Sequence, residues 1–243
     1  MRKLTLFFAV FLIGTNCWSQ SASDILEKMD QLLLAPKDKQ GDLKMTLKSK
    51  SGKDKVREAI LYQKGPDKRL TVYTQPESQA GISTLSLPDG VMWLYMPALG
   101  GPKRISILAK SQAFNNTDFS FEDMDRSPYT ERFSANLIKS SSEGHVLELV
   151  PKYEKSSYSK LVITIHSTNY HPNNIEYYDR SGNKFKEAVY TFEKIGPYWN
   201  ASKITMTNLK KQHSTIIEVS NVKFDQGLED SLFLVENLRP PKK

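Results

Sequence analysis

Residues 85–125 read LSLPDGVMWLYMPALGGPKRISILAKSQAFNNTDFSFEDMD, and the rest of the chain is best understood from this stretch. Residues 91–96 alternate between two sets of side chains, Val-Trp-Tyr on one side and Met-Leu-Met on the other, and both sets are apolar. A strand with this pattern must be covered on both faces. We therefore predict a central strand at 91–96, a break at residues 97–102 and a basic return strand over residues 103–108.

The end of this stretch, residues 109–125, has no regular period. It nevertheless carries four large apolar side chains, which are too many to leave in water: Phe114, Phe119, Phe121 and Met124. We predict an irregular loop, with a helical turn, that packs over the sheet.

Toward the N-terminus the sequence predicts one helix, from about Ala22 to Leu34. Ser23 or Asp24 can cap it, apolar residues recur at three-to-four spacing, and Pro36 ends it. Elsewhere the apolar residues recur at every second position between short turn signals, which is typical of antiparallel strands.

These patterns predict a mainly β fold of about ten or eleven short strands in antiparallel succession. A sheet that large tends to curl or to close. We expect a large curled antiparallel sheet, an incomplete or half β-barrel, with the N-terminal helix and short helices or loops over its concave face. Residues 228–235 predict a short closing helix. Because no low-complexity linker divides the chain, we expect residues 20–243 to form a single domain.

Residues 1–19 have the pattern of a secretory signal peptide. Arg2 and Lys3 form a basic start, an apolar run covers residues 4–13, and small residues precede Gln20. The apolar run is shorter than the about 20 residues of a membrane-spanning helix. We therefore expect a periplasmic protein, and removal of the two basic residues lowers the formal net charge from +7 to +5.

The single cysteine, Cys17, lies in this leader and allows an alternative. In a lipoprotein signal it would be acylated and would anchor the mature chain to a membrane. Asn16 and Gly14 do not match the small and aliphatic residues usual before such a cysteine, but both interpretations stay open. Either way no cysteine pair remains for a disulfide or a metal site.

Signatures of catalysis are missing from the sequence. The four histidines are isolated, and there is no HExxH pattern, no GxSxG pattern and no glycine-rich phosphate loop. We expect no enzyme activity, no catalytic residue, no metal and no cofactor. Nucleic acid is not an expected partner, because export removes the protein from it and the lysines are spread along strands.

One acidic cluster could bind a cation, and it consists of Asp118, Glu122, Asp123 and Asp125. Its spacing differs from that of a calcium loop, which also needs a glycine at a sharp turn. We favour a structural interpretation, in which these residues cap a helical turn and pair with Lys103 and Arg104.

Three pieces of the opening stretch resemble a known family. Trp93-Leu94-Tyr95-Met96-Pro97, Lys103-Arg104-Ile105 and residues 116–124 (NTDFSFEDM) are similar to the WLYxPxxxxxRI … GSDFSYEDL pattern of LolA-like outer-membrane lipoprotein-sorting proteins. Residues 115–117 (NNT) depart from the usual Gly-Ser lead-in. The resemblance implies an incomplete β-barrel of the LolA/LppX type, with helices over an apolar concave face, and it implies a carrier rather than a catalyst.

The function implied is a periplasmic carrier that binds the acyl chains of a lipoprotein or another lipid and moves them between envelope membranes. Candidate partners are an inner-membrane transporter and an outer-membrane acceptor, and we expect a monomer. The candidate cavity-lining residues are Leu85, Trp93, Tyr95, Met96, Phe119 and Phe121, with Arg104 at the cavity mouth. The alternative is a non-catalytic interaction or scaffold protein of the envelope, in which the same side chains fill the cavity.

Overall fold

The computed structural model describes residues 20–49, 52–106, 109 and 111–238. These residues form two α-helices and thirteen strands in one open antiparallel sheet, which confirms the predicted mainly β fold. The number of strands exceeds the ten or eleven expected. The predicted signal peptide, residues 1–19, lies outside the described residues.

The elements have the following bounds. The helices are α1 (Ala22–Leu33) and α2 (Tyr129–Arg132). The first six strands are β1 (Asp38–Lys48), β2 (Lys55–Lys64), β3 (Lys68–Gln75), β4 (Ser83–Leu87), β5 (Val91–Tyr95) and β6 (Lys103–Arg104). The other seven are β7 (Phe133–Ser141), β8 (Gly144–Pro151), β9 (Tyr158–Ile165), β10 (Pro172–Asp179), β11 (Lys184–Ile195), β12 (Tyr198–Asn208) and β13 (His213–Phe224).

The strand order is β6-β5-β4-β3-β2-β1-β13-β12-β11-β10-β9-β8-β7. The first and last strands therefore pair in the middle of the sheet, while β6 and β7 lie at opposite edges. A single connection joins these two edges, because β6 and β7 follow one another in the chain. Residues 111–128 of this connection, here called the cover segment, lie on the face that also carries α1, the inner face.

Helix α1 begins with a reciprocal cap. Ser21 Oγ accepts the N–H of Asp24 at 3.1 Å, and Asp24 Oδ2 accepts the N–H of Ser21 at 3.2 Å. The cap is thus Ser21 and not the expected Ser23 or Asp24. The apolar stripe of the helix is buried next to β7 and β12, and its fully buried members are Ile25, Leu26 and Met29.

The apolar core is divided into three clusters. On the inner face, one lies under α1 on strands β7 to β12, and another lies under the cover segment on β1, β2, β3 and β5. The third is on the outer face, where the C-terminal residues pack against Leu70, Leu85 and Tyr95. These C-terminal residues form two 3-10 turns, Asp230–Phe233 and Val235–Leu238, instead of the single helix expected at 228–235.

Strand β5 is covered on both faces, as its apolar pattern predicts. Met92 and Leu94 belong to the inner cluster, whereas Trp93 and Tyr95 belong to the outer one. The strand is not central, however, because only the two-residue β6 separates it from the edge. The C-terminal segment covers its outer face, so both apolar faces of the strand are buried although it lies near the edge of the sheet.

The sheet is curled so that its two edges approach one another. A groove of about 860 Å³ is lined by Val91 and Arg104 from one edge and by Phe133 and Pro151 from the other. This gap between β6 and β7 is where a closed barrel would have continued its hydrogen bonding.

Candidate ligand cavity

A cavity of about 190 Å³ lies between the sheet and its cover, where the two inner apolar clusters meet. Its walls come from α1, from the cover segment and from strands β1, β2, β3, β11, β12 and β13. Most of the lining is aliphatic or aromatic, and it includes Leu43, Met45, Leu61, Phe114, Phe119 and Ile217. Walls of this kind are suited to hydrocarbon.

A row of polar side chains crosses the sheet side of this cavity. In the strand register Lys39 on β1 lies beside Gln63 on β2, and Gln63 lies beside Arg69 on β3. All three line the cavity, and Arg126 lines it from the cover segment. Because neighbouring strands are about 4.8 Å apart, the Cα atoms of Lys39 and Arg69 are roughly 10 Å apart. We call Lys39, Arg69 and Arg126 the basic cluster.

Burial disfavours the charged form of each side chain of the basic cluster and so lowers its pKa. Desolvation lowers the pKa of Lys39 from 10.5 to about 7, with further lowering by Arg69 and Arg126 and an opposing effect of Glu193. Desolvation, followed by repulsion from Arg126, lowers the pKa of Arg69 from 12.5 to about 9. Burial also lowers the pKa of Arg126. Both guanidinium groups remain charged at pH 7, so the cavity encloses at least two positive charges.

The two arginines of the basic cluster have no protein partner within the described ranges. Neither guanidinium group donates a hydrogen bond, no carboxylate oxygen lies within 4.0 Å of either, and Nε of Arg126 is buried without an acceptor. Lys39 donates one hydrogen bond, to Asn200 Oδ1 at 2.6 Å. Because each guanidinium group has five N–H donors, most of the hydrogen-bonding capacity of the cluster is unused by the protein.

Three carboxylates also line the cavity, and other groups engage them. Asp30 accepts two backbone N–H groups and one hydroxyl at the start of α2, at 2.8 to 2.9 Å. Asp123 forms a buried ion pair with Lys186. Asp125 accepts the N–H and the hydroxyl of Ser127 at 3.0 and 2.8 Å. Asp30 therefore fixes the start of α2, Asp123 joins the cover segment to β11, and Asp125 stabilises a turn within the cover segment.

The acidic residues of the cover segment attach it to the sheet. Asp118 Oδ2 accepts the hydroxyl of Thr215 at 2.7 Å and lies 2.7 Å from Nδ1 of His213, both on β13. Glu122 accepts the N–H of Ser157, just before β9, at 2.9 Å. Asp118, Glu122 and Asp123 thus anchor the cover segment to β13, to the residue before β9 and to β11.

The partners of these anchors differ from those expected. Pairing with Lys103 and Arg104 does not occur among the described residues, and the cation that pairs with Asp123 is Lys186 on β11. Lys103 and Arg104 are exposed on the edge strand β6, away from the strands to which the cover is attached. Within the described ranges, no group of three potential metal ligands is present.

Two asparagines allow the chain to turn at the start of the cover segment. Asn115 and Asn116 have φ angles of 46° and 60°, in the left-handed region. Glycine adopts this region most readily, and asparagine is among the few other residues that tolerate it. Asparagine at these two positions therefore suits the turn.

The predicted site residues on the inner face lie in or near the cavity. Phe119 lines it directly. Phe121 is buried in the neighbouring inner cluster, and Met96 packs against the same cluster. Arg104 is exposed and lines the groove between the sheet edges rather than the cavity itself.

The other predicted site residues lie on the opposite face of the sheet. Leu85, Trp93 and Tyr95 form the outer cluster together with Phe233 and the C-terminal segment. Their expected position at the cavity wall is therefore corrected. The reason is the strand period of two, since Met92 and Leu94 take the inner positions of β5 and leave the alternate residues to face outward.

The basic cluster was not singled out from the sequence, although a signal for it exists. Lys39 has the same parity along β1 as the inward-facing Leu43, Met45 and Leu47, and Arg69 has the parity of Tyr73 on β3. The signal is hidden for Lys39 because residues 38–41 (DKQG) contain no large apolar residue that would show the alternation. On β3 both faces carry apolar residues, which makes the inward face ambiguous.

With this geometry established, comparisons with known proteins can be interpreted. A family model described as "Uncharacterized protein" matches residues 65–240. The chain belongs to this family. No curated protein matches the chain.

Solved structures show the fold in other organisms. The chain is similar to a protein from Vibrio parahaemolyticus provisionally named an outer membrane lipoprotein-sorting protein domain, with 29% identity, a TM-score of 0.80, and coverage of 88% of this chain and 97% of that one. A DUF1329 family protein from Desulfovibrio piger has 25% identity and a TM-score of 0.84, with coverage of 90% and 98%.

A third neighbour has the same fold at lower sequence identity. A LolA superfamily protein from Nitrosomonas europaea has 23% identity and a TM-score of 0.76, and it covers 90% of this chain and 100% of its own. The neighbours of this chain are therefore LolA superfamily and lipoprotein-sorting domains, as the sequence resemblance implied. None of the helices in the described ranges is long and apolar enough to cross a membrane.

Proposed function

We propose that this protein is a periplasmic carrier, exported through the signal peptide of residues 1–19, that binds acyl chains in its inner cavity. The observation that carries the proposal is the apolar cavity between the curled sheet and the cover segment. The fold is shared, at 29% identity over 88% of the chain, with a lipoprotein-sorting domain. That relative supports a role in moving a lipid or a lipid-modified protein through the envelope.

The size of the cavity bears on how an acyl chain would bind. Its volume of about 190 Å³ is below the roughly 300–1,000 Å³ of common ligand pockets. A complete acyl chain therefore requires the cover segment to move outward. Each buried methylene contributes about 0.8 kcal/mol, so about ten of them supply the roughly 8 kcal/mol of a micromolar complex before the cost of association.

Binding of amphiphiles with tails of different length tests this proposal. The mature chain, from Gln20 onward, is purified gently and analysed by native mass spectrometry for a co-purified lipid. It is then titrated with uncharged and charged single-chain amphiphiles while displacement of a fluorescent acyl probe is followed. We expect the affinity to rise with tail length, because each added methylene leaves water.

Failure to bind any of these amphiphiles would refute a carrier function. That result would favour the alternative of an envelope interaction protein whose cavity is filled by its own side chains. In that case a stable protein partner, and not a lipid, should co-purify with the mature chain.

A further inference from the structure

We propose that the basic cluster of Lys39, Arg69 and Arg126 binds the anionic head group, a phosphate or a carboxylate, of the acyl-bearing ligand inside the cavity. This inference rests on the proposed carrier function and goes beyond it, because it assigns a charge and an orientation to the ligand. The head group would lie within the fold, beside the polar row, and the tail would lie along the apolar walls.

The three side chains reach the same cavity, two from the sheet and one from the cover segment. Lys39 and Arg69 come from strands separated only by β2, on the same face, and Arg126 reaches the same cavity from the cover segment. Donors therefore point at one space from two sides. A tetrahedral phosphate or a planar carboxylate has several acceptor oxygens that can be reached from both.

Within the described ranges, the two arginines of the basic cluster have no protein partner. Buried guanidinium groups in folded proteins are normally paired with carboxylates or with backbone oxygens. Arg57, on the neighbouring strand β2, follows this rule by donating to the carbonyl oxygen of Asn115 at 2.7 Å. Arg69 and Arg126 do not, although both line the same cavity. An anionic ligand supplies the missing acceptors.

The neighbouring carboxylates offset the charge of the cluster only in part, and Asp125 is the weakest of the groups that act on Arg126. Asp30 caps α2, and Asp123 is paired with Lys186. Glu193 acts on Lys39 only as the weakest of its charged neighbours, while the two arginines repel it more strongly. The lowered pKa of Lys39 and of Arg69 is the expected result of placing like charges together in an apolar surrounding.

The inference separates two kinds of cargo. A fatty acid or a phospholipid has an anionic group next to its acyl chains, whereas the acyl-bearing part of a diacylglyceryl peptide is uncharged. An uncharged lipid would leave the guanidinium groups without acceptors, which opposes binding. The structure therefore favours an anionic lipid as the ligand of this cavity.

A series of ligands with one tail and different head groups provides the test. The probes are dodecyl phosphate, dodecanoate, dodecylphosphocholine and uncharged monododecanoylglycerol, each titrated at pH 7 by calorimetry and by the fluorescence of Trp199, which lines the cavity. We expect dodecyl phosphate and dodecanoate to bind at least about tenfold more tightly than the uncharged probe. The comparison between these two anions distinguishes phosphate from carboxylate.

Charge-removing variants identify the residues responsible. We expect Arg69→Gln and Arg126→Gln each to weaken binding of the anionic probes by about tenfold to a hundredfold and to leave the uncharged probe nearly unchanged. Lys44→Gln is the matched control, because Lys44 is exposed on the same strand as Lys39 and its loss changes the net charge equally. If Arg69→Gln does not fold, Arg126→Gln gives the same comparison.

The possible outcomes keep the two proposals apart. Equal binding of charged and uncharged probes, or an equal loss in Lys44→Gln, overturns the head-group assignment and leaves the carrier function standing. Binding of none of the probes overturns the carrier function. Binding of inorganic phosphate as tightly as dodecyl phosphate assigns the cluster to a free anion and overturns the link to an acyl chain.

Discussion

Lys39 lines the cavity, and burial of its charged amino group there lowers the stability of the fold. Its pKa is about 7 in the folded protein and 10.5 in an exposed lysine. Between these values the unfolded chain binds a proton that the folded protein lacks, so stability rises with pH over this interval. Below pH 7 the side chain is charged in both states, and the full cost of its burial remains.

The first prediction follows from that sign. Replacing Lys39 by methionine removes the cost, so the stability gain of Lys39→Met over the parent should be largest at pH 7 and should shrink by pH 9. We expect the difference between the two pH values to be at least about 1.4 kcal/mol, the equivalent of one pKa unit. Urea unfolding at both pH values measures it. The pH comparison is independent of the hydrogen bond to Asn200, which is lost at both.

The charged groups around Lys39 also contribute to its pKa. Arg69, Arg126 and Glu193 are the charged groups that act on it. Burial lowers the pKa of Arg69 to about 9, so loss of its charge near pH 9 further relieves the repulsion on Lys39. A variant as stable as the parent at pH 7, with the same pH dependence, would contradict a buried charged Lys39.

The second prediction concerns the ion pair between Asp123 and Lys186. Both side chains are almost completely buried, with 2% and 4% of their surface exposed. Removing one partner leaves the other charge buried alone, so Asp123→Asn should lower the free energy of unfolding by about 3–5 kcal/mol. The double variant Asp123→Asn/Lys186→Met should recover much of this loss. Chemical denaturation of the parent, Asp123→Asn, Lys186→Met and the double variant gives the coupling energy.

A control for this cycle is the exposed pair of Lys48 and Asp54 on the surface. We expect Asp54→Asn to leave the unfolding midpoint nearly unchanged, because exposed pairs contribute little. Strictly additive losses in the Asp123 and Lys186 variants would contradict the role of this pair as an anchor of the cover segment.

At the scale of elements, the two faces of the sheet have different tasks. The cover segment packs Phe119 against the inner face, where it lines the cavity, and the C-terminal segment packs Phe233 against the outer face. Both side chains are buried, with 8% and 3% of their surface exposed. A difference in ligand binding between their variants would therefore reflect which face each one covers.

The third prediction compares these two phenylalanines. Phe119→Ala and Phe233→Ala should each lower the free energy of unfolding by about 3–5 kcal/mol. Only Phe119→Ala should also change the affinity for a single-chain amphiphile, because its ring is part of the cavity wall. Probe displacement at a temperature where both variants are folded measures this. An equal loss of affinity in both would indicate that binding depends on overall stability alone.

The same division explains what the sequence could predict about this site. The double apolar pattern of residues 91–96 correctly predicts a strand covered on both faces. The pattern does not tell which side faces the cavity, since a shift of one position exchanges the faces. Trp93 and Tyr95, expected at the cavity wall, lie on the outer face because of the pairing of β5 with β4 and the C-terminal cover.

The anchors of the cover segment show a second limit. Asp118 and Asp123 bond to groups on β13 and β11, which lie about 60 or more residues away in the chain. Local spacing contains no information about partners at that distance, so it does not identify Thr215 or Lys186 as the partners. The aromatic residues of the same segment were easier, because their burial follows from composition alone.

At the scale of the whole molecule, the cover differs from the sheet in how it is held. Pairing of β1 with β13 in the middle of the sheet leaves β6 and β7 at the edges, and residues 111–128 between them lie over the inner face. The sheet alone is held by continuous backbone hydrogen bonds. The cover is held mainly by side chains, which makes it the part of the inner wall that can move without breaking strand pairing.

The fourth prediction is a pattern of hydrogen exchange. In the free protein the amides of the cover segment should exchange faster than those of β1 and β13 at the centre of the sheet. A ligand beneath the cover adds contacts that must be released before it can open. At a free ligand concentration of 100 times Kd, openings that release the ligand become about 100-fold rarer, equivalent to about 2.7 kcal/mol.

The slowing should be confined to the elements around the cavity. We expect it in the cover segment and α1, and we expect no change in residues 228–238, which cover the outer face. Exchange followed by mass spectrometry, with and without dodecyl phosphate, resolves these regions. Uniform slowing over both faces would indicate global stabilisation only. Measured binding with unchanged exchange in the cover segment would place the ligand outside the cavity, in the groove between β6 and β7 that Arg104 lines.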